Sequence, residues 1–188
     1  MRLIKTQNLE NIVTGCCKNN SRSQKALYNR FSPKMYSICL RYAKCKEDAN
    51  DVLQEGFIRV FKNIRSLRDK STVEAWMKRI FINTSLRFIE KRNGLKLDFV
   101  ETPCDSEVFH VEVPCEYNEL LCMINDLPDG FRTVFNLYVM DGYSHKEIGQ
   151  KLNISEATSR SQLTRARTVL QKKIKKQNID LVRNEYRG

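Results

Sequence analysis

Residues 144–170, SHKEIGQKLNISEATSRSQLTRARTVL, constrain the fold of this chain more than any other stretch. They describe two helices joined by a very short turn. Ser144 and Glu147 have the capping-box spacing, in which two side chains satisfy backbone donors left open at a helix start. Ile148 and Leu152 then fall one turn apart on one face. Asn153 is a residue type that tolerates the left-handed conformation at a helix end. Ser155 can cap a second helix, for which Ala157, Leu163, Ala166 and Leu170 offer an inward side. The outward side is expected to carry Ser159, Arg160, Ser161, Gln162, Thr164, Arg165 and Arg167. A small capped helix, a short turn and a longer basic helix make the helix-turn-helix pattern, whose second helix enters the DNA major groove. Arg and Gln can bond base edges there, and Ser and Thr can hold phosphates. An ordinary helical hairpin with a solvated basic face has the same spacing, so the rest of the chain must decide.

Charge narrows the choice of partner. Lys plus Arg outnumber Asp plus Glu by 33 to 22, a net charge of +11, which favours nucleic acid or an anionic membrane surface. No apolar run approaches the ~20 residues that span a bilayer. Residues 1–17 contain Arg2 and Lys5 but no continuous apolar core, so no secretory signal is expected and the cytoplasm is the expected location. The seven cysteines are odd in number and irregularly spaced, with Cys16 and Cys17 adjacent and no CxxC. That usage points to reduced thiols rather than a disulfide framework. Cys104, His110 and Cys115 offer three ligands at a spacing that fits no common zinc module, so they are taken as ordinary linker residues and no metal or cofactor is expected.

Taken in order, residues 1–21 are weakly patterned and form an N-terminal arm, loose or with one short helix. Residues 23–44 are helical, since Leu27, Phe31, Met35, Ile38 and Tyr42 recur every three or four positions. Pro33 interrupts this run and Ser32 can cap a restart, so a kink or break is expected there. Residues 47–64 form the clearest amphipathic helix, with Ala49, Val52, Leu53, Phe57, Val60, Phe61 and Ile64 on its apolar face. Its other side groups Asp51, Gln54 and Glu55 around Ile58. An apolar anchor ringed by polar groups suits a protein interface, although a solvated face with one stray Ile looks the same.

Residues 66–72 read as a loop. Residues 73–92 read as another helix, with Trp76, Ile80, Phe81, Phe88 and Ile89 able to pack inward. Arg79, Asn83 and Arg87 recur every four residues as a polar stripe, with Lys78, Lys91 and Arg92 beside it. Cations flanking an amide fit a nucleic-acid face, or a plain solvated one.

From Asp98 to Glu119 the composition inverts. Of the 22 acids seven sit here, with Pro103 and Pro114 and no Lys or Arg, so 15 acids remain against 33 bases elsewhere. This is the composition of an extended interdomain linker, in which VFHVEV alone has strand-like alternation. Beyond it YNELLCMINDL and FRTVFNLYVMDG form two more helices, the second stopped by Gly142. Phe131, Val134, Phe135, Tyr138 and Val139 are expected to build the core beneath the helix-turn-helix. A basic run, Lys172, Lys173, Lys175 and Lys176, leads into a frayed tail.

This order of parts resembles the bacterial RNA polymerase sigma factors of the extracytoplasmic-function group, over about residues 22–176. DANDVLQEGFIRVFKNI looks like the family's polymerase-docking helix of region two. AWMKRIFINTSLRFIEKR looks like its promoter-melting, minus-10 helix, and LPDGFRTVFNLYVMDGYSHKEIGQKLNISEATSRSQLTRAR looks like its region four. The resemblance implies an all-α chain of two small helical domains joined by a flexible acidic linker. The domains are a three-to-four-helix region two over 22–93 and a helix-turn-helix region four over 117–178, with the linker over 94–116 and a tail over 179–188.

It also implies roles. Asp51, Gln54, Glu55 and Ile58 would meet the clamp helices of the largest polymerase subunit. Arg79, Asn83 and Arg87, with Trp76 beside them, would face the minus-10 element, and the loop 66–72 would receive a flipped non-template base. Arg160, Ser161, Thr164 and Arg165, flanked by Ser159 and Arg167, would reach the minus-35 major groove. The flap of the second-largest subunit, promoter DNA and an anti-sigma protein complete the implied partners, with no small-molecule substrate. Arg87 departs from the pattern, which often has Asp or Asn there, and so leaves the minus-10 base preference open. A stand-alone helix-turn-helix regulator gives no role to the Ile58 patch or the acidic linker. A recombinase-type enzyme lacks a nucleophile set with clustered polar partners, so no catalysis is expected.

Overall fold

The computed structural model describes residues 9–43, 45–92 and 115–185, with side-chain surroundings for 120–175 of the last stretch. All regular structure among them is helical. The order is α1 (Leu9–Cys17), α2 (Ser21–Tyr42), α3 (Lys46–Asn63), α4 (Val73–Arg92), α5 (Cys115–Asn125), α6 (Asp129–Phe135), α7 (His145–Leu152) and α8 (Glu156–Glu185). Two 3-10 turns, Ile64–Ser66 and Lys70–Thr72, connect α3 to α4, and a π turn, Asn136–Met140, prolongs α6. The chain divides into two compact units that part between Arg92 and Asn93. Most of the acidic stretch, with Cys104, His110 and VFHVEV, lies outside the described residues, and so does the side chain of Cys115.

In the first unit the apolar stripes read from the sequence become one core. Leu27, Phe31, Met35, Ile38 and Tyr42 of α2 meet Ala49, Val52, Leu53, Phe57 and Val60 of α3, all buried. From α4 come Val73, Met77, Phe81, Ile82 and Ile89, whereas Trp76, Ile80 and Phe88 are only half-buried. The N-terminal stretch contributes more than an arm, because α1 buries Ile12, Val13 and Cys16. Burial pushes the Cys16 thiol up to about 11, helped by neighbouring Cys17, and the Cys39 thiol up to about 12.

Of the kink or break expected at Pro33 no break occurs, and Ser32 starts no new helix: α2 runs unbroken from Ser21 to Tyr42. A proline in a helix interior costs about 3 kcal/mol. Six buried side chains hold α2 on both sides of it, and each contributes roughly 1.5–3 kcal/mol of apolar burial, which outweighs the defect. The expected loop 66–72 is also more ordered than a simple connector. The Asp69 carboxylate accepts from Ser71 N–H at 2.9 Å and Ser71 Oγ–H at 2.7 Å, bonds that lower its pKa. Lys70 Nζ donates to Thr14 Oγ1 of α1 at 2.9 Å.

In the second unit Ile124, Leu127, Phe131, Ala166 and Leu170 form the core cluster, with Val134, Leu137, Ile148 and Leu163 also buried. Arg132 is buried as well. Its guanidinium pairs with Asp129 at 2.8 Å and donates to Asn125 O at 3.0 Å, closing the corner between α5 and α6. Tyr138 and Val139 do not join this core; they are 37% and 46% exposed. The reason is the π turn, whose Asp141 N–H bonds Asn136 O five residues back. The wider turn shifts the phase, so Asn136 and Leu137 take the inward positions instead. Gly142 follows with φ of 77°. Nor does the chain fray after its basic run, since α8 continues to Glu185.

Gly56 marks the closest approach of α3 to α4, where a Cβ would lie 2.2 Å from Phe81 Cε1. Gly56→Ala should therefore destabilise the first unit by about 1–3 kcal/mol through overpacking, against the ~1 kcal/mol that Ala gains in helix propensity. Trp76 is the sole tryptophan and lies in this unit, so denaturant unfolding followed by its fluorescence reads the effect. A midpoint at or above that of the unaltered chain would contradict it.

Candidate nucleic-acid interface

The second helix of the helix-turn-helix is presented by a tightly specified turn. Ser144 Oγ accepts from Glu147 N–H, and the Glu147 carboxylate accepts from Ser144 N–H at 2.9 Å, so the capping box is complete. Asn153 ends α7 in the left-handed region, at φ 54° and ψ 46°. Ser155 Oγ accepts from Thr158 N–H at 2.9 Å and starts α8. The residue that the sequence reading passed over is Gly149. A Cβ there would lie 2.8 Å from the backbone oxygen of Ile154. Only the absence of a side chain lets α7 come this close to the turn.

This seating decides which side of α8 faces solvent. Leu163, Ala166 and Leu170 point inward, and Arg160, Ser161, Thr164, Arg165 and Arg167 are exposed as expected. Three expectations fail. Ser159 and Gln162 are buried and Ala157 is exposed. Ser159 precedes Leu163, Ala166 and Leu170 by four, seven and eleven residues, so it lies on the buried stripe despite its polarity. Ala157 falls outside that stripe despite being apolar. Ser159 is therefore removed from the candidate DNA contacts. Its hydroxyl instead meets His145 Nδ1 at 2.9 Å.

Three of the outward groups are already engaged locally. Arg160 pairs with Glu156, Ser161 Oγ–H donates to Thr158 O at 2.9 Å, and Thr164 Oγ1–H donates to Arg160 O at 3.1 Å. A hydroxyl donating back along its own helix keeps its acceptor lone pairs, and these bonds exchange readily. Exposed ion pairs such as Arg160 with Glu156 contribute less than about 1 kcal/mol, so a phosphate or base can displace the glutamate.

In the first unit α3 exposes Asp51, Gln54 and Glu55 around Ile58, which is 61% exposed. Arg59 enters this patch, donating from Nε to Glu55 at 2.7 Å, so the acidic island contains a cation the sequence reading had not placed there. On α4, Arg79, Asn83 and Arg87 are exposed as a stripe and Trp76 is half-buried beside them. A cavity of about 480 Å³ lies between α2 and the start of α4. Lys34, Arg41 and Lys78 line it, together with Ser71 and Thr72, the only loop residues that reach it.

These two faces carry the marks of a known family. Residues 27–94 match the family description Sigma-70 region 2, and residues 117–170 match Sigma-70, region 4. The chain is 30% identical over 145 residues to the ECF RNA polymerase sigma factor SigM of Bacillus subtilis (strain 168), covering 75% of this chain and 88% of that one. It belongs to the extracytoplasmic-function sigma factors of the sigma-70 family. The ECF RNA polymerase sigma-E factor of Haemophilus influenzae is 26% identical over 171 residues, covering 84% and 90% of the two chains. The fold is similar to that of the sigma factor RpoE from Bartonella quintana, solved with the anti-sigma factor NepR. That likeness has a TM-score of 0.53 and 19% identity over 80% of this chain and 96% of the other.

As a sigma factor the protein serves core RNA polymerase in promoter recognition, and its family is one of transcription factors rather than enzymes. No helix among the described residues is long and apolar enough to cross a membrane.

Replacing Gly149 by Val should force α7 away from Ile154 and cost about 1–3 kcal/mol. Hydrogen exchange on the full chain would then show faster exchange through α7 and the first turns of α8. Unchanged protection there would mean that the close approach is dispensable.

Proposed function

We propose that this sigma factor divides promoter recognition between its two units. The first docks on polymerase through Ile58, Asp51, Gln54 and Glu55, and captures unstacked minus-10 bases along Arg79, Asn83 and Arg87, with Trp76 at the edge. The second lays α8 into the minus-35 major groove through Arg160, Ser161, Thr164, Arg165 and Arg167. The observation that carries the reading is the exposure of both sets on rigid helices, one apolar and acidic, the other cationic.

Each face fits its proposed partner physically. Ile58 is an apolar anchor with a polar rim, the arrangement that concentrates binding energy at an interface centre. Asp51 and Glu55 steer toward a basic surface such as a clamp coiled coil, and Glu55 exchanges Arg59 for the partner's cations. The stripe on α4 supplies phosphate-neutralising arginines on both sides of an amide able to bond a base edge. The cavity beside Ser71 and Thr72 is large enough for an extruded base, and its lining of Lys34, Arg41 and Lys78, with Glu74 paired to Lys34, keeps an excess of positive charge for the flanking phosphates. An anti-sigma protein that covers one of these faces belongs to the same reading. RpoE, the similar solved chain, was captured with such a partner.

Transcription with purified core polymerase tests the whole reading. Added to core enzyme on a genomic library, the chain should create a new set of start sites sharing two spaced elements. An unaltered start-site pattern would refute it. Ile58→Glu should abolish association with core polymerase without lowering the Trp76 unfolding midpoint, and normal association would remove Ile58 from the interface. Arg165→Ala should weaken minus-35 binding by about 1–3 kcal/mol with reduced base discrimination. Equal weakening on every sequence would instead make Arg165 a phosphate contact.

A further inference from the structure

Within the helix-turn-helix, one titratable side chain links three elements. His145 is the first residue of α7 and is 9% exposed. Its Nδ1 lies 2.9 Å from Oγ of Ser159, a residue of α8 with no exposed surface. Tyr138, from the π turn, stacks on the imidazole with ring centroids 4.4 Å apart and planes 19° from parallel. The turn at Gly149 and Asn153 fixes where α8 starts, and the apolar contacts between α7 and α8 add attraction without direction. A hydrogen bond fixes a distance and a direction. Ser159 immediately precedes Arg160 and Ser161, so any roll of α8 at Ser159 moves the groove-facing side chains with it.

The surroundings of the ring favour its neutral form. Burial is the largest influence against the cation, and Arg160 and Arg167 on α8 add to it. On its own helix the ring sits at the positive end of α7, next to Lys146. Glu156 of α8 acts in the opposite direction, but it is paired with Arg160. Glu147 is engaged in the capping box. The face of Tyr138 would also favour a cation, yet burial and the two arginines prevail and lower the pKa of His145 below 6.5.

We infer that His145 is a positioning residue for duplex recognition: its neutral ring, held between Tyr138 and Ser159, sets the roll of α8, and protonation of the ring releases it. The inference rests on the reading of the second unit as the minus-35 binder. Its sign follows from linkage. The unfolded or released ring binds a proton more readily than the seated one. The seating is therefore intact above pH 6.5 and is lost progressively as the pH falls below that value.

Footprinting of the holoenzyme on a promoter fragment taken from its mapped start sites, from about pH 8 to about pH 5.5, tests this over the range in which histidine titrates. The unaltered protein should lose minus-35 protection several-fold across that range while its minus-10 protection changes less. His145→Gln, neutral throughout, should give minus-35 protection that no longer changes with pH, whatever its level. Ser159→Ala, which keeps the imidazole but removes its anchor, should weaken minus-35 protection already at about pH 8 while core association stays normal. A flat profile for the unaltered protein, the same pH dependence in His145→Gln, or undiminished protection in Ser159→Ala would each overturn the inference. Absence of minus-35 protection by the unaltered protein at about pH 8 would instead overturn the assignment of the second unit.

Discussion

The approach of α7 to the turn at Gly149 is the constraint on which the second unit depends. With no Cβ in the way, the Ile154 carbonyl comes close to α7, and Asn153 reverses the chain in a single left-handed residue. A wider turn would let α8 start at another angle. The stripe of Ser159, Leu163, Ala166 and Leu170 would then meet α6 and α7 differently. Where α8 starts is thus fixed by a glycine, and the side chains packed against the helix do the rest.

The first unit follows the same logic with side chains in place of a turn. Gly56 lets Phe81 lie against α3, and Phe57 packs edge-on to Phe81 at 5.2 Å and tilted against Tyr28 at 4.5 Å. Three helices locked through these rings leave α3 and α4 little freedom to rotate. Ile58, next to Phe57, is therefore turned outward as a consequence of core packing. An apolar residue held rigidly in solvent forms an interface with less ordering entropy than one on a mobile loop.

Both stripes and caps were legible in the sequence because they are periodic or local. The α3 pattern predicted burial of Ala49, Val52, Leu53, Phe57 and Val60 and exposure of Ile58, and Ser144 with Glu147 and Asn153 behave as their residue types dictate. What escaped was tertiary or non-periodic. Ser159 and Gln162 were assigned by polarity although their spacing placed them inside. Tyr138 and Val139 were misplaced because a π turn has no clear sequence signal. Pro33 signals a kink or break in the sequence, and the burial on both sides that keeps α2 continuous is a property of the packed bundle. At the candidate site, the positions of the exposed residues could be read in advance. The Arg59 partner of Glu55 was legible too, since the two stand four residues apart on one helix, but the His145–Ser159 contact was not, because its residues stand 14 apart on different helices.

The π turn at Asn136–Met140 has a further meaning for chain length. It closes α6 with a turn wider than an α-helical one, and the helix ends there, just before Gly142. Within that turn Tyr138 lies over His145 and Val139 is left in solvent. Losing one residue here would carry the aromatic ring away from the imidazole. The length of this turn is thus tied to a ring stack and not to the helix that it ends.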